Sequence, residues 1–265
     1  MKNVFKNENY LAERTKFFFA DMCKNLESSK VYTDNENYAV CQAAPGYQVW
    51  LWSKDNLSLK KLKELKQVLL DNFVTEDKLT FAAKKEVVDY LNTYKNELLV
   101  DDYFEMGTYK CTESVKPREC DAYVDNFHED DFDTAALYNY LDLKEMDLNG
   151  KGETMEQSYE KVRNWLNNDN YWVLRNEEGK VVSMASFRKY SDMAKLGNVY
   201  TPVEERRKGY CTNLVFYVTN KLLSEGYTPL LYTDLNYVNS NEAYRKVGYE
   251  YTGMVVEFTL KKYKL

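Results

Sequence analysis

The sequence is poor in histidine, with one, His128, in 265 residues. A lone histidine is more often structural than catalytic, so no general base can be named from it. Five cysteines lie at 23, 41, 111, 120 and 211, an odd number with no C-x-x-C pair. That spacing argues against a disulfide framework and against a zinc site, and fits reduced thiols. A basic surplus is also missing: net charge is −6 and the pI is about 5.2. A general nucleic-acid binder needs a positive field to displace counterions, so this balance argues against that class, while a local basic patch stays open. Long apolar runs are missing too. The first residues, MKNVFKNENY, lack the apolar core of a signal peptide. The longest uncharged run, residues 38–53, is too short and too polar to span a membrane. The expectation is a cytoplasmic protein with no metal, no nucleic-acid partner and no membrane partner.

What is present is ordinary globular material: 44% hydrophobic and 29% charged residues. Tyrosine is abundant at 24 copies, which suits polar-lined clefts as well as core. The length allows one large domain or two ordinary ones. The polar stretch TESVKPREC, with Pro117, marks a composition shift. A boundary there gives domains 1–116 and 117–265. No internal repeat or low-complexity tract is visible.

In the first domain, residues 8–26 show helical spacing. YQVWLW (47–52) alternates as a strand after the turn at Pro45-Gly46. Ser58 caps a helix whose Leu59, Leu62, Leu65, Leu69 and Phe73 share a face. A further helix is expected over 81–94, with strand-like material over 97–112. Trp50 and Trp52 share one strand face, and a core role and a ligand pocket are both open to them. The domain itself could narrow a binding site in the second domain or form a homodimer.

The second domain reads more clearly. Residues 130–142 look helical. Thr154 and Gln157 have capping-box spacing, continued by Tyr159, Val162 and Leu166. Residues 171–176 and 181–190 flank the turn EEGK as a hairpin. Strands are expected at 196–202 and 229–235, helices at 209–225 and 239–248, and one or two strands over 249–263. The order is helix, helix, antiparallel strands, helix, strand, helix, strand, an α/β sandwich of the α+β kind.

The joint at VYTPVEERRKGYCTNLV (199–215) stands out. Arg206, Arg207 and Lys208 sit where a helix begins, at its positive end. Cations there do not help the helix. Two readings stay open on spacing alone. The glutamates could neutralise a solvated loop. Alternatively, the free N–H groups could seat an anion that Gly209 lets close to the backbone.

This stretch resembles the acetyl-CoA motif of the GNAT superfamily of N-acetyltransferases, R/Q-x-x-G-x-G/A. Arg206, Gly209 and Cys211 occupy its three positions. A second block, LYTDLNYVNSNEAYRKVGYE (231–250), resembles the superfamily's Y-x-x-x-G-F/Y pattern at Tyr244, Gly248 and Tyr249. Together the blocks cover roughly residues 118–265. The resemblance implies a GNAT-like fold with a mixed, mostly antiparallel sheet flanked by helices, preceded by a smaller α+β domain. It implies acetyl-CoA as co-substrate, its pyrophosphate on backbone amides of Arg206, Arg207, Lys208, Gly209, Tyr210 and Cys211. The backbone of Val199, Tyr200 and Thr201 would pair with the pantetheine amides, and Asn241 would be a coenzyme contact. Tyr244 would protonate the leaving thiolate. Three departures stand out: Cys211 replaces a usual Gly or Ala, Arg207 a common glycine, and Tyr237 a common asparagine.

The function so implied is acetyl transfer to a primary amine of a small molecule or peptide, directly in a ternary complex. The alternative is a non-catalytic acyl-CoA-binding regulatory module. Asp234, Glu257 and water are the candidates for the base.

Overall fold

The computed structural model describes residues 3–75, 77–146, 153–164 and 170–263. The chain groups into two compact units, residues 1–108 with 252–265, and residues 109–251. The first therefore takes back the C-terminal tail, where sequence composition suggests a single division at 116/117.

In the first unit, residues 8–26 form two short helices, α1 (Glu8–Glu13) and α2 (Phe18–Cys23), not one. Strands β1 (Lys30–Thr33), β2 (Tyr38–Gln42) and β3 (Val49–Ser53) make an antiparallel meander. Helix α3 (Leu59–Asn72) leads to β4 (Leu79–Ala83), which pairs parallel with β3. Then come α4 (Lys85–Leu91) and β5 (Leu98–Lys110). The helix expected over 81–94 thus starts as strand, through Ala83, and is helical only over Lys85–Leu91. LTFAA is a short apolar run buried among neighbouring strands, and such a run has no period to separate strand from helix. The tail supplies most of β11 (Glu250–Lys262), which pairs antiparallel with β4. The strand order in this unit is β1-β2-β3-β4-β11-β5. Val40, Leu51, Phe81 and Phe258 meet Leu65 and Leu69 of α3 on one face. Trp50 and Trp52 lie on the other face as core. Trp52 is fully buried against Tyr10, and its Nε1 donates to Glu13 at 2.9 Å.

The second unit opens with β6 (Ala122–Asn126) and α5 (Phe132–Met146). Helix α6 (Met155–Arg163) follows, with both capping-box bonds between Thr154 and Gln157 formed. Leu166, expected on its apolar face, lies outside the described residues. Strands β7 (Tyr171–Asn176), β8 (Val181–Tyr190) and β9 (Met193–Tyr200) continue the antiparallel meander from β6. Helix α7 (Tyr210–Ser224) returns the chain to β10 (Thr228–Asp234), parallel to β9. Helix α8 (Val238–Lys246) precedes β11. Leu214, Val218 and Leu222 of α7 pack on Leu196 and Leu231. On the opposite face Tyr138 of α5 and Val162 of α6 cover Met184 and Tyr200.

Gly248 stops α8 in the left-handed region, at φ 102°. The Tyr249 N–H closes the cap on the Tyr244 carbonyl at 3.1 Å. A Cβ at Gly248 would fall 2.4 Å from the Glu113 carbonyl oxygen, so the position excludes any side chain. Among the described residues no helix is long and apolar enough to cross a membrane.

Candidate active site

Parallel pairing between β9 and β10 runs through Met193–Thr228, Ala194–Pro229 and Lys195–Leu230, then stops. Beyond it, residues 196–200 of β9 and 231–234 of β10 diverge. A bulge in the β8–β9 ladder between Met184 and Ser186, with Asn198 at φ 50°, re-aims the end of β9. Lys195 sits where the strands part. Burial, and next the Arg188 charge, pull its ammonium down to about 8. Its Nζ donates to the Leu196 carbonyl at 3.3 Å and lies 5.1 Å from the Tyr232 ring centre.

The loop that follows β9 makes one 3-10 turn, Val203–Glu205, and enters α7 through two left-handed residues, Arg207 at φ 65° and Gly209 at φ 85°. Left-handed backbone turns successive amides toward one side. The Glu205 and Arg206 N–H groups close the turn on Pro202 and Val203. Among the described residues, the backbone N–H groups of 207–212 donate to no protein acceptor. Gly209 offers no side-chain cap, while its carbonyl accepts from Thr212 Oγ1 and from Asn213 Nδ2. Such a row of amides at a helix N-terminus is suited to hold an anion.

The three cations of the loop divide. Arg206 Nε donates to the Thr201 carbonyl at 2.9 Å, and its Nη2 donates to both Glu145 oxygens at 2.8 and 2.7 Å. Lys208 pairs with Glu205, as does Lys180. The Lys208 bond, opposed by burial and aided by Lys180, holds the Glu205 carboxyl below its ordinary value. Arg207 alone of the three forms no ion pair among the described residues. The side chains of Arg206 and Lys208 therefore shape the loop, and its amides with Arg207 are what remain for an anion.

Of the strand residues expected to contact coenzyme, Val199 is half-buried, and Tyr200 and Thr201 are buried. Ser183 Oγ donates to the Tyr200 carbonyl, and Arg206 takes that of Thr201. Tyr210 is half-buried and packs against the α7 core with Cys211. Burial pushes the Cys211 thiol up to about 11. Asn241 is buried, with its Nδ2 committed to the carbonyls of Asp234, Leu235 and Tyr237. Its Oδ1 is left buried without a donor among the described residues. Tyr244 lies in the core of α8, 6.1 Å from the Tyr249 ring. Its hydroxyl makes no hydrogen bond among the described residues. Burial first, then the nearby Cys211 and Asp142, raise its pKa well above the usual phenol value.

Other candidates are placed elsewhere. Glu257 belongs to the first unit, where Gln48 donates to it at 2.8 Å. His128 is exposed, its ring 3.3 Å from Asp125 and its N–H bonded to Asp131. Asp234 turns back to the Asn236 N–H. What sequence reading misses is the end of α5. Glu145 there accepts from Arg206 and from the Tyr200 hydroxyl, while its carbonyl accepts from the Tyr237 hydroxyl. Two acids three residues apart near the end of α5, Asp142 and Glu145, were the available signal. Among the described residues no group of His, Cys, Asp and Glu is arranged to hold a metal ion.

Residues 174–257, from β7 through the loop to β11, match the FR47-like protein family. An acetyltransferase of the GNAT family from Colwellia psychrerythraea is similar in structure, with TM-score 0.58 and 15% identity, over 94% of this chain and 90% of that one. The fold is that of the GNAT acetyltransferases. A GCN5-related N-acetyltransferase from Kribbella flavida shares this GNAT fold at TM-score 0.59 and 12% identity, over 92% and 94% of the two chains. A Drosophila protein does so at 0.63 and 13%, over 97% and 93%. No curated protein matches the sequence.

Proposed function

We propose that the second unit is an acetyl-CoA-dependent N-acetyltransferase that moves the acetyl group directly to a primary amine in a ternary complex. The observation that carries this is the row of undonated amides at 207–212, at the mouth of α7 and beside the parting of β9 and β10. A pyrophosphate suits that donor set: it meets partial positive charge, the unpaired Arg207 and a glycine with no Cβ in the way. The edge of β9 beyond Lys195 offers backbone to an extended polyamide as an added strand would. Asn241 Oδ1 lacks a donor, which an amide N–H of the coenzyme would supply. Acetyl-CoA brings the activated thioester.

Direct transfer is supported by the thiols. Burial holds Cys23, Cys111 and Cys211 at about 11, so none is a ready thiolate for an acyl-enzyme. Tyr244, kept neutral by its raised pKa, is the proton donor to the departing sulfur. Backbone N–H groups at the end of β9 polarise the thioester carbonyl. None of the five cysteines forms a disulfide among the described residues, which suits the cytoplasm as the place of reaction.

A second reading, an acyl-CoA-binding regulatory module, is favoured by Tyr237. Its hydroxyl is tied to the Glu145 carbonyl rather than presented to a ligand. Calorimetry with acetyl-CoA, together with thiol release in the presence of amines, separates the two. The enzyme binds and releases thiol, and Tyr244→Phe lowers turnover while leaving affinity nearly unchanged. Binding without release supports the module, and no binding removes both.

A further inference from the structure

An acceptor amine arrives as an ammonium ion and has to lose a proton before it attacks. The end of α5 supplies a carboxylate for this. Glu145 is bonded to Arg206 of the loop, to Tyr200 of β9 and to Tyr237 before α8. These bonds fix one face of α5 against the region where β9 and β10 part. Asp142 precedes Glu145 by three residues and so shares that face. It is half-buried and makes no hydrogen bond or ion pair among the described residues. A carboxylate partly withdrawn from water without donors is costly, and a visiting cation would relieve that cost.

We propose that Asp142 receives the acceptor amine, holding its ammonium and taking its proton. The inference rests on the acetyltransferase reading. One ammonium proton passes to an Asp142 oxygen. The freed lone pair forms the N–C bond to the thioester carbonyl carbon, and the C–S bond breaks. The sulfur takes the Tyr244 proton, and the second nitrogen proton leaves to water.

The titratable and charged groups near enough to act on the Asp142 charge are Glu145 on its own helix, Tyr200 of β9, Arg206 of the loop, Tyr237 and Tyr244. Glu145 is paired with Arg206, whereas Asp142 has no ion-pair partner among the described residues. Burial, then the Glu145 charge, raises its pKa to about 7 against the opposing pull of Arg206. A base with that value is ionised in half the molecules at neutral pH and is strong enough to accept an ammonium proton in the transition state.

The test uses the full chain, acetyl-CoA, and butylamine and spermidine as acceptors, in wild type, Asp142→Asn and Asp142→Glu. Wild-type kcat/KM should rise as pH passes through neutrality. Asp142→Asn should keep its acetyl-CoA affinity by calorimetry, lose about 100-fold in rate and lose that rise. Asp142→Glu should recover part of both. An Asp142→Asn variant within about threefold of wild type, with the same pH profile, overturns the inference. So does a wild type that binds acetyl-CoA yet releases no thiol to either amine, an outcome that leaves the coenzyme site standing. A wild type that does not bind acetyl-CoA removes the acetyltransferase reading, and this inference with it.

Discussion

In the first unit the helix after the meander, α3, begins at Ser58, whose hydroxyl accepts the Lys61 N–H at 3.3 Å. In the second, the corresponding helix α7 begins at Gly209, which has no side chain to do the same. Two stretches of the chain, α1 to β5 and α5 to β11, repeat one order of elements: two helices, three antiparallel strands, a helix, a parallel strand, a helix and a strand, with β6 preceding the second stretch. They differ at this joint. Pairing of β3 with β4 reaches Ala83, the last residue of β4, whereas pairing of β9 with β10 leaves residues 231–234 apart. The first unit closes its strands and caps its own helix. The second leaves both unfinished, and an unfinished helix mouth beside parted strands is what a phosphate-bearing polyamide can complete. The shared topology therefore does not carry the site; a few backbone conformations do.

The largest way to break the comparison is at the end of α8. Gly248→Ala places a Cβ against the Glu113 carbonyl in left-handed backbone. It should cost about 3 kcal/mol in urea denaturation, near the upper end for one substitution. The first unit's α4 ends on Asn92 in right-handed backbone, with no such constraint. Next, Gly209→Glu puts bulk and negative charge at the anion seat. Acetyl-CoA affinity should fall about 100-fold, the loss of roughly two charge-assisted hydrogen bonds.

The two units also titrate with opposite sign. Asp142 ionises at about 7 when folded, against an ordinary 3.8. The folded state then binds the extra proton, so stability falls as pH rises between those values. Asp142→Asn should be the more stable protein at pH 8 by on the order of 1 kcal/mol, and the gap should close by pH 4. In the first unit burial pushes Asp34 up, but Lys61 and Asn37 more than offset it and hold it well below its ordinary value. Its contribution is lost only as pH falls below the carboxylate range. The smallest effect is Ser58→Ala, a lost cap worth about 1 kcal/mol of stability. It should leave acetyl-CoA affinity unchanged, because the proposed coenzyme seat is at α7.

Much of the second unit was legible because its signals are local. Thr154 and Gln157 announce a cap, the turn before Lys180 announces a hairpin, and Gly209 and Gly248 each stand where backbone conformation requires them. Signals that depend on tertiary pairing were not legible. β4 is an apolar pentapeptide without a period, and the return of β11 to the first unit follows from its strand partner, not from its own residues. The repeated topology left no repeat in sequence, since the same meander is built once on Trp50 and Trp52 and once on Val182 and Phe187. At the site, the loop could be read from Arg206, Gly209 and Cys211. The pairing of Arg206 with Glu145 could not, because the partners lie far apart in the chain and meet only when α5 docks on β9.

The central claim is that coenzyme completes the helix mouth of the second unit and ignores that of the first. Amide hydrogen exchange with and without acetyl-CoA reads this directly. Protection should appear at 207–212 and along 196–201, with none added at 54–61. Protection at 54–61, or bound acetyl-CoA with no change at 207–212, would contradict the account.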